Sequence, residues 1–141
     1  MNRMSLVLLA TVLSLLVSFS TFAAELVSVE EAQSRAMSGE LLLVDIRTPG
    51  EWQETGVPAS AVPITMHKPT FLAKLDAAMD GRKDKPVGLI CAVGGRSGFL
   101  SKLLEERGYT YVVDVSEGMH GSERGAGWLA KGLPTVPYAG E

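Results

Sequence analysis

The segment from Val87 to Gly108 leaves little freedom in how it can fold. It opens on a short apolar run, Val87-Gly88-Leu89-Ile90, of the kind that forms a buried strand. It continues through Cys91-Ala92-Val93-Gly94-Gly95-Arg96-Ser97-Gly98 and closes on a helical pattern, Phe99 to Arg107, stopped by Gly108. Strand, tight loop and helix are therefore expected in direct succession. Phe99, Leu100 and Leu103 are expected to face inward, and Glu105, Glu106 and Arg107 to face water. The chain's single cysteine stands where the strand gives way to the loop.

That position has chemical consequences. Consecutive glycines let the backbone turn inward, because glycine takes positive φ without a Cβ clash. Backbone N–H groups from Ala92, Val93, Gly94, Gly95, Arg96 and Ser97 are then expected to converge on the sulfur as an anion nest. The helix N-terminus adds unpaired donors and partial positive charge, and Arg96 adds a full one. Such surroundings favour thiolate over thiol. A cysteine closing a buried strand also serves simply as a small hydrophobe. Strand, cysteine, paired glycines, arginine and helix start together point to chemistry at Cys91.

Other segments repeat the alternation of strand and helix. Ser28 is placed to cap a helix from Val29 to about Met37, with Glu31 completing a capping box; Ala32 and Ala36 face inward and Gly39 ends it. Leu41 to Ile46 is an unbroken apolar run closed by an acid, as expected of a strand covered on both sides. A short strand follows around Ala61 to Ile64, where Pro63 demands an edge. Phe71, Leu72, Leu75 and Met79 recur at helical spacing as core residues, after Pro69-Thr70. Asp80 to Pro86 is a polar connection. Tyr109 to Val115 is rich in β-branched and aromatic residues and reads as a strand. The order implies an α/β domain with a mostly parallel central sheet flanked by helices. Ligands then sit beyond the C-terminal ends of the strands, where Cys91 lies.

Cys91, Gly94 and Arg96 form a C-x-x-G-x-R loop with Ser97 next, which resembles the active-site loop of the rhodanese sulfurtransferase family. Related phosphatases and arsenate reductases carry one more residue between cysteine and arginine, so the spacing favours sulfur transfer. Asp45-Ile46-Arg47 resembles the family's D-x-R, Glu51-Trp52 and Gly56 its next segment, and Trp128, Gly132, Leu133 and Pro134 its W-x-x-x-G-L-P ending. The resemblance spans about Ser28 to Pro134. It departs from the pattern at Val57 and Ser60, where the family often has histidine and glycine.

The resemblance implies a thiosulfate- or persulfide-type transferase. Cys91 would take a sulfane sulfur from a small donor and pass it to cyanide or a thiol, with no metal and no organic cofactor. Arg96 would orient an anionic donor or brace the loop, and Ser97 would cap the helix. Asp45 and Arg47 would hold neighbouring loops in place. Family members often set basic residues directly after the cysteine. Ala92 and Val93 stand there in this chain, which favours a less anionic donor or a protein persulfide partner. The alternative outside enzymology is an exported sulfur-carrier or interaction module of the same fold. His67 is expected at the surface. The glycine-rich stretch from Gly121 to Gly127 is read as a flexible surface loop, with His120 and Arg124 as weak candidates for substrate contact.

Residues 1–23 have the pattern of a secretory signal: Arg3, an apolar span from Leu6 to Phe19, and Thr21-Phe22-Ala23 before the cleavage point. The alternative is an uncleaved membrane anchor, for which the span is short. Cleavage leaves residues 24–141 as one domain, periplasmic or secreted, with no stable membrane span. One cysteine in an exported chain has no internal disulfide partner. One Cys and two distant His lack zinc-ligand spacing. A net charge of −3 gives no reason to expect nucleic-acid binding.

Overall fold

The computed structural model describes residues 23–140; apart from Ala23, the signal segment lies outside the described residues. Elements run in the order β1 (Glu25–Leu26), α1 (Val29–Met37), β2 (Leu42–Asp45), α2 (Pro49–Thr55), β3 (Val57–Pro58), β4 (Ala61–Pro63), α3 (Phe71–Ala78), β5 (Val87–Ile90), α4 (Gly95–Glu106), β6 (Val112–Asp114) and β7 (Thr135–Val136). Five strands form one parallel sheet in the order β1-β6-β5-β2-β4. Parallel neighbours need crossover connections, which the helices supply. β3 and β7 pair antiparallel as a separate ribbon that holds the C-terminal tail.

Side chains alternate across the sheet and divide the core in two. Val44, Leu89 and Val112 face α3 and α4, where they meet Phe71, Leu75, Met79, Leu100 and Leu104. Leu43, Ile90 and Val113 face the other way, towards Val29 and Ala32 of α1 and towards Met119 and Trp128. Cys91 continues the first series, two residues beyond Leu89, so its side chain enters the α3–α4 layer. Register in β5 thus decides which layer receives the sulfur.

Ser28 caps α1 through its side chain, which accepts from the Glu31 N–H. Pro63 lies on edge strand β4. The last central strand is shorter than its composition suggests: Tyr109 is buried but lies outside β6, and Thr110 and Tyr111 are exposed. Helix α2 was not expected. A full capping box between Thr48 and Glu51, with Pro49 in the first turn, explains it.

Helix α4 differs in two respects. It begins at Gly95, so Arg96, Ser97 and Gly98 belong to its first turn rather than to the loop. Phe99, expected inside, is 65% exposed. The buried stripe is Ser97, Leu100, Ser101 and Leu104, an i, i+3, i+4, i+7 series. Two serines hold places where larger apolar residues were sought, and Leu103 is only partly buried.

Candidate active site

Two independent supports shape the loop that follows β5. Gly94 has φ +90° and precedes the first turn of α4. A Cβ there would stand 2.3 Å from the Ser116 carbonyl oxygen, so only glycine fits both the conformation and the space. Opposite it, the turn after β6 lies directly on the loop: Met119 N–H donates to Cys91 O and His120 N–H to Ala92 O, both at 2.9 Å. Gly118 permits that approach, since a Cβ there would lie 2.4 Å from Ala92 O.

Within the loop, Cys91 Sγ accepts from Gly94 N–H at 3.2 Å and from Ser97 N–H at 3.4 Å. The thiol also lies 3.6 Å from Ser97 Oγ, which donates to Gly94 O at 3.1 Å. Two of the six expected N–H groups therefore point at the sulfur; those of Ala92, Val93, Gly95 and Arg96 make no such bond. Ser97 is not the helix cap either. Gly94 holds that position, and the Ser97 side chain, buried in the first turn, touches the sulfur instead. Cys91 is 1% exposed and has no disulfide partner.

Arg96 turns away from the sulfur. Its guanidinium forms a two-pronged ion pair with Glu51 at 2.6 and 2.9 Å, and Nη1 lies 3.4 Å from Nε2 of exposed His67. Glu51 also accepts from the Thr48 N–H and hydroxyl. These bonds, Arg96 foremost, outweigh partial burial and hold the Glu51 carboxyl at about 2. The same pairing raises Arg96. Of the two expected roles for Arg96, the geometry matches the brace: it fixes the start of α4 to α2.

Asp45 and Arg47 form a second brace, and both side chains are 0% exposed. Arg47 donates to both Asp45 oxygens at 2.7 to 3.2 Å, and its backbone N–H adds a bond to Oδ1. Nη1 also donates to Thr55 Oγ1 and Nη2 to Gly56 O, each at 2.9 Å. This is a buried, multiply hydrogen-bonded pair rather than a solvated surface one.

The stretch from Gly121 to Gly127 is not a loose surface loop. Ser122 Oγ donates to Ser116 O, Ser122 and Gly125 bridge through their backbones, and Gly127 N–H donates to Glu117. Glu117 is buried and also accepts from Val29 N–H and from Lys131 Nζ. Burial pushes its carboxyl up, but Lys131 and the two N–H donors more than compensate and leave it lowered. Neither Glu117 nor Asp114 stood out in the sequence. Asp114 lies at the end of β6, buried, with Oδ1 unpartnered. Among the described residues, no group of three or more His, Cys, Asp or Glu is arranged to hold a metal ion, and no helix is long and apolar enough to cross a membrane.

Fold and site together define an α/β domain built to present one cysteine at a strand end, with its sulfur held by the first turn of the next helix. The Rhodanese-like domain family matches residues 28–124, and the chain belongs to that family. A protein of Allochromatium vinosum named sulfurtransferase is 31% identical over 110 residues, covering 77% of this chain and 91% of that protein. An uncharacterised Rickettsia prowazekii protein, RP600, is 24% identical over 105 residues, covering 70% of this chain and 85% of its own length. Among solved structures, Rv0390 from M. tuberculosis superposes with a TM-score of 0.65 at 26% identity, over 83% of this chain and all of that one.

Proposed function

We propose that the protein is a sulfurtransferase that carries sulfane sulfur as a persulfide on Cys91. The observation that carries this reading is the sulfur's placement in a short loop, accepting N–H bonds from Gly94 and Ser97. The Cys91 thiolate attacks the sulfane sulfur of a donor. With thiosulfate, the donor's S–S bond breaks, sulfite leaves with the bonding pair, and Cys91–S–S⁻ remains. Cyanide or a thiol then takes the outer sulfur and returns the thiolate, a two-step covalent cycle. Preorganised N–H groups stabilise the anions on both sides of the cycle.

Arg96 is engaged by Glu51, and Ala92 and Val93 bring no charge. A persulfide donor, small or protein-borne, therefore suits the site better than the thiosulfate dianion. The leader pattern of residues 1–23 and the single cysteine support a periplasmic or secreted location.

The test is intact mass after brief incubation of reduced protein with thiosulfate or a small persulfide, then with cyanide. The expected result is a gain of one sulfur, lost with release of thiocyanate, and neither event in Cys91→Ser. Loading without repeated turnover would instead indicate a carrier that needs its partner. Full turnover by Cys91→Ser would refute the assignment.

A further inference from the structure

We propose that Asp114 is a positioning residue for the reaction at Cys91: acting through the Ser97 hydroxyl, its carboxyl shares one proton with the thiol. The inference rests on the sulfurtransferase reading above and adds what governs formation of the thiolate at that site. Register places the two groups together. Asp114 pairs with Leu89 of β5 on one side and with Leu26 of β1 on the other. Paired residues of a parallel ladder share a face, and a strand returns to that face every second residue. Asp114 therefore lies on the face of Leu89 and, two residues further on, of Cys91. The first turn of α4 covers both. Ser97 is buried there with Oγ 3.6 Å from Sγ. The next residue is Gly98, where a Cβ would stand 3.4 Å from Asp114 Oδ2.

The surroundings of Asp114 favour its neutral form. It is 6% exposed, two leucines flank it in register, and Oδ1 has no hydrogen-bond partner. Burial in that condition costs a carboxylate more than a carboxylic acid. Burial raises this carboxyl, while the Ser97 side chain and the charge of Arg124 pull it back only in part. The charged groups around the pair are otherwise committed or set to one side. Arg96 of α4 acts on Cys91 but is bound by Glu51, and β2 brings Asp45, bound by Arg47. Arg124 and Glu123 of the loop after β6, and Lys102 and Glu105 of α4, share cavity walls with Asp114. Helix α3 faces the layer with Phe71, Leu75 and Met79.

The three side chains hold the proton in two ways. With it on sulfur, the thiol donates to Ser97 Oγ, and the Ser97 hydroxyl donates to Gly94 O or turns to the Asp114 carboxylate. With it on Asp114, the carboxyl donates to Ser97 Oγ and the hydroxyl turns to Sγ. The thiolate then has a third donor beside the N–H groups of Gly94 and Ser97. Between the two states the sulfur gives a proton to Ser97 as Ser97 passes its own to Asp114. Ser97 stays neutral and the net charge is unchanged. Once Asp114 ionises, its charge stands beside the thiolate and opposes it.

The experiment follows the rate at which iodoacetamide alkylates Cys91 in the full chain, from acid to alkaline pH. Sulfur loading from thiosulfate or a small persulfide is followed by mass over the same range. Strongly interacting groups lose their protons in two macroscopic steps, so the wild-type rate should rise in two steps, an arm that needs no variant. D114N removes the shared proton and should rise in one step, with a rate about two- to tenfold above wild type between the wild-type steps. S97A cuts the link and should lower the amplitude of the first step by about half or more. H67Q, which changes the exposed histidine beside Arg96, should keep both steps. A single step in wild type, two steps kept in D114N, or loss of the first step in H67Q would overturn the shared proton, and sulfur loading that stays intact would leave the sulfurtransferase reading standing. Two steps with no loading from either donor would overturn that reading and, with it, the part of Asp114 in sulfur transfer.

Discussion

Glu51 and Arg96 join α2 to the first turn of α4, and their ion pair sets a measurable dependence of stability on pH. The perturbation is Glu51→Gln. Glutamine keeps the shape and one acceptor oxygen for the capping bonds at the third helical position, and removes the charge together with one of the two oxygens that Arg96 holds. The Glu51 carboxyl is held at about 2 in the folded protein against an ordinary 4.5. A displacement of that size corresponds to about 3 kcal/mol of folding free energy at neutral pH. The two side chains are 29% and 28% exposed, so solvent screening reduces the figure to about 2 kcal/mol. The folded value is depressed, so the contribution is complete above the unfolded value of 4.5 and is lost as pH falls towards 2.

Urea denaturation of wild type and E51Q between pH 7 and pH 3 measures this directly. At pH 7 wild type should be more stable by about 2 kcal/mol, and the gap should close progressively below about pH 5. A gap that stays constant down to pH 3, or no gap at pH 7, would refute the reasoning. The same variant tests the role of Arg96. As a brace, its loosening slows sulfur transfer from charged and neutral donors alike. If E51Q instead lowered KM for thiosulfate selectively, Arg96 would be a donor anchor restrained by Glu51.

Other outcomes follow from single contacts. Asp45→Asn leaves the Arg47 guanidinium buried without its counter-charge and should cost about 3–5 kcal/mol by urea denaturation; a loss below about 1 kcal/mol would show that Thr55 and Gly56 suffice. Gly94→Ala forces a Cβ against Ser116 O at a φ of +90°, and should cost at least about 2 kcal/mol and slow alkylation of Cys91 by iodoacetamide; retained stability and reactivity would exclude that close approach. Phe99→Ser should change stability by less than about 0.5 kcal/mol because the ring is exposed, whereas Leu100→Ala, one residue on, should cost about 2–5 kcal/mol; a reversal of that order in thermal melts would mean the helix face is misassigned.

The contrast between Phe99 and Ser101 shows what the sequence can and cannot carry. Strands β2 and β5 were legible because their apolar runs are buried on both faces. Cys91 was legible because a strand end, a glycine pair and a helix start bracket it. The buried face of α4 was not, because hydrophobicity ranks Phe99 above Ser97 and Ser101. In the fold, the serines lie on the buried stripe and Ser97 touches the sulfur. Helix α2 hid behind a seven-residue length with only Trp52 buried; its signal was the Thr48-x-x-Glu51 capping box. Asp114 and Glu117 were unreadable for a different reason. Each looks like an ordinary polar residue near a turn, and only tertiary contact shows that Glu117 serves three partners while Asp114 Oδ1 has none.

That asymmetry between two buried acids bears on how the site works. Glu117 ties the start of α1, the Gly127 backbone and Lys131 to the turn whose Met119 and His120 N–H groups hold the Cys91 and Ala92 carbonyls. The far side of the cysteine loop is thereby fixed by backbone bonds that leave little freedom for adjustment, and Arg96 with Glu51 fixes the near side. A loop held from both sides keeps the Gly94 and Ser97 donors aimed at the sulfur before any donor arrives, so their stabilisation of an anion needs no reorganisation when charge develops. Asp114, one strand away on the same end of the sheet, keeps Oδ1 without a hydrogen-bond partner. The fold thus satisfies the acid that positions the cysteine loop and leaves one oxygen of Asp114 without a donor.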